Sequence, residues 1–301
     1  MSLWIPVTLA AAVFQTLRFM LQKVLSAERL SAEGATFARF AYSAPLIAAL
    51  LGAYLWATGR SLPPLGAEFW AHALVGGLAQ ILATICVVLL FKQRNFAVGI
   101  TFKKTEVIQA VLIGWLVLGE GVSLPGFGAI LLGLMGVLLL SRSPLEPGRW
   151  WRHLGNRAAG LGLASGALFA VSGVSYRAAS LQLGDLEPVL RAGVTLAAVT
   201  GAQMIGMGLW LAWRDRAELR AVWAARRTAL WVGLFSMGGS FCWFIAFTLQ
   251  TVAYVKALGQ VELILSLLAS VLVFRERVSA REVTGMALLG ASILALVLVV
   301  H

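Results

Sequence analysis

The run FAVGITFKKTEVIQAVLIGWLVL, residues 96–118, sets Lys103, Lys104 and Glu106 in the middle of an otherwise apolar segment. A helix rises about 1.5 Å per residue and about 20 residues cross a hydrocarbon layer about 30 Å thick, so the segment is long enough to span. Read as one continuous helix, it places Glu106 about 15 Å from its start, at the bilayer midplane. Working outward, similar apolar runs occupy 4–22, 35–57, 70–91, 124–140, 158–180, 189–212, 229–249, 252–273 and 282–300. The sequence therefore predicts an all-α integral membrane protein with ten transmembrane helices, and helices of this length exclude an outer-membrane barrel.

Composition agrees. Of 301 residues, 60% are apolar and 12% charged, with a mean hydropathy of +0.87, more apolar surface than one soluble core can hide. The first run lacks a basic leader and a cleavage site, so it reads as a retained helix. Cys86 and Cys242 lie inside apolar runs, and His72, His153 and His301 have no metal-ligand spacing. No phosphate loop, nucleotide motif or nucleophile elbow is present, so no cofactor, metal or enzymatic activity is expected. The net charge of +11 sits largely in short loops, where it reports membrane orientation and not nucleic-acid binding.

Shifted by 156 residues without a gap, the chain aligns Glu106 with Glu262, Glu120 with Glu276, Ser123 with Ser279 and Cys86 with Cys242. Nearer the start of each copy the register drifts, and Arg39 finds its partner in Arg191. The reading is two repeats of five helices, 1–145 and 146–301. Five is odd, so the second copy enters from the opposite side, the inverted repeat of secondary transporters. The loops agree: 16 Lys and Arg residues follow odd-numbered helices and two, Arg60 and Arg177, follow even ones. Residues flanking the repeated glutamate change in charge, Gly119 and Gly121 becoming Arg275 and Arg277.

Leu118-Gly119-Glu120 closing the fourth helix, Arg275-Glu276 closing the ninth and Ala38-Arg39-Phe40 opening the second resemble the drug/metabolite transporter superfamily, EamA-type branch. The resemblance covers essentially all ten helices. It implies a small-metabolite exporter or exchanger in the cell (inner) membrane, working by alternating access through a cavity between the halves, with a small-molecule solute and the bilayer as partners. Oligomeric state stays open, a monomer being compatible. The resemblance also implies cytoplasmic termini, whereas the loop charges place both termini outside; the charges are followed here.

Within the spans lie Arg18, Arg39, Lys103, Lys104, Arg191 and Lys256, with the acids Glu106 and Glu262. A midplane charge costs about 2.5–3.5 kcal/mol on insertion scales, so such residues face a cavity or a partner. Glu106 and Glu262 read as coupling carboxylates, Glu262 the better proton carrier because its copy has lost both lysines. Lys103 or Lys104, Lys256, Arg39 and Arg191 read as solute contacts, with Trp115 and Trp243 as aromatic ones. Arg18, Arg39 and Arg191 lie near the ends of their runs, where snorkelling is the alternative. Lysines favour an anionic or zwitterionic, amino-acid-like solute. The alternatives are a transporter of neutral or cationic compounds and a non-transporting assembly subunit.

Overall fold

The computed structural model of the chain describes residues 2–28, 30–91, 102–140, 157–265 and 279–300. Among them every regular element is helical: α1 Trp4–Glu28, α2 Ala32–Thr58, α3 Ala67–Phe91, α4 Glu106–Leu118, α5 Leu124–Leu140, α6 Arg157–Leu181, α7 Pro188–Arg214, α8 Arg216–Ala224, α9 Arg226–Leu249, α10 Val252–Gly259 and α11 Ala280–Val300. Seven of these, α1, α2, α3, α6, α7, α9 and α11, are long and apolar enough to cross a membrane. The fourth, fifth and ninth expected spans appear as the shorter α4, α5 and α10. Glu276, Arg275, Arg277 and the basic residues of 92–94 and 142–152 lie outside the described residues.

Local chemistry sets the ends. Ser31 caps α2 by accepting a bond from the Gly34 amide (2.9 Å), which satisfies one of the unpaired donors of the first turn. Gly59 and Gly119 close α2 and α4 at φ 64° and 66°, a left-handed conformation that costs glycine nothing. Short α8 begins at Asp215, whose carboxylate accepts from the amides of Ala217 and Glu218.

The fourth and ninth spans are not the continuous helices the sequence predicts. Residues 104–105 form a turn before α4, and Gln260 forms one after α10. Thr105 donates both its amide (3.2 Å) and its hydroxyl (2.7 Å) to the Phe102 carbonyl, which diverts that acceptor from α-helical pairing. In the second copy the Gln260 amide bonds Ala257 in the same i to i−3 fashion (3.2 Å). The bond pattern is the tight 3₁₀ form that marks hinges within longer helices. Glu106 thus opens a half-helix instead of sitting mid-helix, and Glu262 follows its own break by two residues.

Contacts run mainly between the two halves and come in matched sets. Under the repeat, α1 to α5 correspond to α6, α7, α9, α10 and α11. The pairs α3–α6 and α1–α9 are then equivalents, as are α2–α9 and α3–α7, and α4–α6 and α1–α10. Three helices pack on their own counterparts: α2 on α7, α4 on α10 and α5 on α11. Those counterparts run antiparallel. Phe37 lies beside Gly208 and Leu51 beside Gly193, while Ser292 donates to the Ala129 carbonyl (2.6 Å) and Leu289 packs on Gly136.

At the α5–α11 crossing the backbones touch. A Cβ at Gly136 would lie 2.8 Å from the Gly285 carbonyl oxygen and from the Leu289 nitrogen. Gly128 and Gly290 of the same two helices take no part, since a Cβ at either would meet nothing within 4 Å. Overpacking of the kind a side chain at Gly136 would cause costs about 1–3 kcal/mol. Gly136→Ala is therefore expected to lower the thermal midpoint of the purified protein, and Gly128→Ala to leave it unchanged.

Candidate functional site

The two breaks face each other at the centre of the molecule, where α4 packs on α10. Each carboxylate there is paired by a lysine of the opposite half: Lys104 with Glu262, and Lys256 with Glu106. Lys103 adds a second bond to Glu106 within its own helix turn (3.3 Å). Lys103, Lys104 and Glu106 are 6%, 4% and 4% exposed, so these charges are out of reach of solvent. Glu106 also lies in the first turn of α4, where the positive end of the helix dipole favours a carboxylate. The expectation that Glu262 lacks lysine neighbours is corrected, because Lys104 crosses from the other repeat.

Neutral groups complete the cluster. Gln15 of α1 donates to Glu262 (2.8 Å) and accepts from the Trp243 indole (3.1 Å). The Lys256 ammonium stands 5.1 Å from the Trp243 ring and 5.6 Å from those of Phe169 and Phe247, within cation–π range. The Trp243 ring fills the space a side chain at Gly259 would occupy, so the glycine before the second break lets the indole reach the charges.

Beside the ion pairs lies a small cavity of about 30 Å³ with mixed polar and aromatic walls, lined among others by Gln15, Arg18, Arg39, Gln80, Tyr176 and Lys256. That is room for about two waters. Arg39 donates to Ser236 (2.7 Å), Thr84 (3.3 Å) and Ser240 (3.1 Å), which ties α2 to α3 and α9. Tyr176 donates to Gln80 (3.0 Å), which also accepts from Gln203 of α7 (3.0 Å). A larger cleft of about 500 Å³ between α3 and α7 is apolar and bordered by the exposed Leu78 and Leu82, so it opens toward lipid.

Next to the cavity, sharing Phe247 with it, lies a separate latch. Arg177 grips both oxygens of Glu120 (2.7 and 2.8 Å) and donates to the carbonyls of Phe247 (2.6 Å) and Gln250 (2.9 Å). Tyr254 bonds Ser123 and Ser180 bonds Thr248 alongside it. Arg177 thus belongs to α6 and not to a loop.

Of the residues singled out in the sequence, Lys103, Lys104, Glu106, Lys256, Glu262, Arg39 and Trp243 come together here. Arg191 does not; it donates to the Ser180 carbonyl (3.1 Å) near the latch. Trp115 is 61% exposed on the outer face of α4, away from the cavity. Snorkelling is ruled out for Arg18 and Arg39, which are buried in the centre. Sequence reasoning assigned no site role to Arg18, Gln15, Gln80 or Tyr176. Their signal was present as polar residues spaced about one turn apart in apolar helices: Gln15, Arg18 and Gln22; Gln80 and Thr84; Ser172 and Tyr176; Ser236 and Ser240.

Apolar helices of spanning length, built as two similar halves around a desolvated charged centre, define a multi-pass membrane protein with a transporter's architecture. The model of the EamA-like transporter family matches residues 2–142 and again 156–298. The chain belongs to that family, and with it to the membrane transporters of small solutes. A solved crystal structure of a protein shares the fold over 99% of this chain and 98% of its own, with a TM-score of 0.69 and 16% identity. No curated protein matches the sequence.

Proposed function

We propose that the protein is a secondary active transporter that moves a small anionic or zwitterionic organic solute by alternating access, as exporter or exchanger. The observation that carries this reading is the charge balance of the centre. Among the described residues, Arg18, Arg39, Lys103, Lys104 and Lys256 face one another there with only Glu106 and Glu262 to offset them. An excess of three positive charges in a low dielectric favours an incoming anion and repels a lipophilic cation. The aromatic rings around Lys256 favour a solute that also carries an ammonium group, which makes an amino-acid-like zwitterion the second form of the same reading.

The antiparallel packing of corresponding helices supports two inverted repeats, divided near 1–145 and 146–301, and the hinge-like breaks beside Glu106 and Glu262 supply the places where the halves bend. The small volume of the cavity and the Arg177–Glu120 latch beside it support a state closed on the side of the latch. The carboxylates act in coupling as members of the crossed pairs, since an incoming anion changes the charge that the same buried centre must balance.

Orientation follows the loop charges, in a cell (inner) membrane. Glu218 accepts from Ser31 (2.7 Å), which joins the connection after α1 to α8. Exposed Arg214, Arg216, Arg220, Arg226 and Arg227 lie at that end, and by the positive-inside rule it is cytoplasmic with both termini external. Cysteines placed singly between 214 and 227, in a background without Cys86 and Cys242, are expected to resist an impermeant maleimide on intact cells; strong labelling would reverse the orientation.

The solute class is tested by thermal unfolding of the purified protein with matched ligands. Organic acids and amino acids are expected to raise the midpoint, by the equivalent of about 2.7 kcal/mol at a hundredfold excess over Kd, while their neutral amides do not. Stabilisation by lipophilic cations alone would contradict the reading.

A further inference from the structure

The lysines of the centre already hold carboxylates, which leaves open where the anionic group of a solute would go. We infer that Arg18 and Arg39 form a receptor for a single oxyanion, a carboxylate or a phosphate, distinct from the lysine–glutamate pairs. The inference rests on the anionic-solute reading above and assigns that solute's charged group to a place.

Both guanidiniums are nearly inaccessible, at 4% and 5% exposure, and both line the same small cavity. Neither forms an ion pair among the described residues. A guanidinium offers five N–H donors in a planar fork. Arg39 uses three of them, each on a neutral hydroxyl, which fixes its plane without neutralising its charge. Arg18 has a single long bond among the described residues, 3.5 Å to Gln22, and rests against the Phe19 ring at 4.1 Å. Most of its donors therefore have no acceptor among those residues.

A buried cation in this condition is costly, and two of them facing one cavity repel each other as well. An oxyanion removes both penalties at once, because it accepts from two forks and carries the missing charge. The remaining groups facing the space suit this role. Gln15, Gln80, Ser172, Ser240 and Tyr176 are neutral hydrogen-bonding side chains beside an aromatic wall, Lys256 adds a third cation from α10, and the carboxylate of Glu262, whose charge Arg18 also feels, is bonded by Lys104 and Gln15. The cavity, about 30 Å³, accepts a charged group of a few atoms and not a whole metabolite. The solute's remainder would need the halves to part, so engagement of the arginines comes with opening of the space around it.

The test uses simple probes on the full-length protein in lipid nanodiscs at constant ionic strength: acetate, inorganic phosphate, chloride and, as neutral isostere, acetamide. Acetate or phosphate is expected to raise the thermal midpoint in a saturable manner while chloride and acetamide do not, and whichever of the two acts identifies the group as planar or tetrahedral. Arg18→Gln is expected to weaken that oxyanion's binding by about tenfold to a hundredfold. Arg18→Lys, which keeps the charge, provides a folded variant in case the glutamine is not tolerated; it is expected to weaken binding at least about tenfold because the bidentate fork is lost. Loss of binding in Lys103→Gln with full binding in both Arg18 variants would move the anion to the lysines, overturning this assignment while leaving an anionic solute intact. If no oxyanion stabilises the wild type beyond chloride, the receptor is overturned, and stabilisation of the same protein by whole organic acids then decides separately whether the solute is an anion.

Discussion

The two lysine–glutamate pairs that cross between the halves are the constraint on which the structure depends. Each carboxylate sits beside the break of one span and takes an ammonium from the other repeat as its partner. In a low dielectric neither member can be left alone, since removal of one from a buried pair costs about 3–5 kcal/mol. The pairs thus fix which faces of α4 and α10 meet, and with them how the halves sit together. Glycines at the α5–α11 crossing serve the same end by letting backbones approach where side chains would hold the repeats apart.

The repeats are alike in scaffold and unlike in charge. Arg39 enters the central cavity, whereas its counterpart Arg191 binds a backbone carbonyl near the latch. Glu120 is gripped by Arg177, whereas the offset that relates Arg39 to Arg191 puts Leu25 at the matching position of the first repeat. Under the proposed alternating access, a symmetric frame would give two related conformations and the asymmetric charges would decide how each binds and closes. That division suits a carrier, which needs similar energies for its two states but different tasks at its two ends.

Much of this was legible in the sequence. Hydropathy located the spans, and the 156-residue offset identified helices that prove to pack on one another antiparallel. The breaks were not legible, because an apolar window averages over a turn of one or two residues, and the side-chain bond at the first of them is a single threonine hydroxyl taking one carbonyl. Lysine partners were misassigned for a different reason: sequence spacing reports neighbours on one helix, and Lys104 finds its acid 158 positions away. Arg18 looked terminal because its apolar run ends at 22, yet α1 continues to Glu28, which carries the arginine into the interior. Trp115 illustrates the converse, since an aromatic near charged residues in sequence lies on the opposite, lipid-facing side of its helix.

If inter-repeat charge pairing holds the core, a charge swap shows it most directly. Thermal or denaturant unfolding of Lys104→Glu, Glu262→Lys and the double variant would be compared with the wild type in one membrane mimetic. Each single change is predicted to be strongly destabilising, by about 3–5 kcal/mol, and the double variant to recover most of the loss because the pair is restored with its sense reversed. Single variants as stable as the wild type, or a double variant no better than the sum of its parts, would contradict the pairing as the constraint that sets the fold.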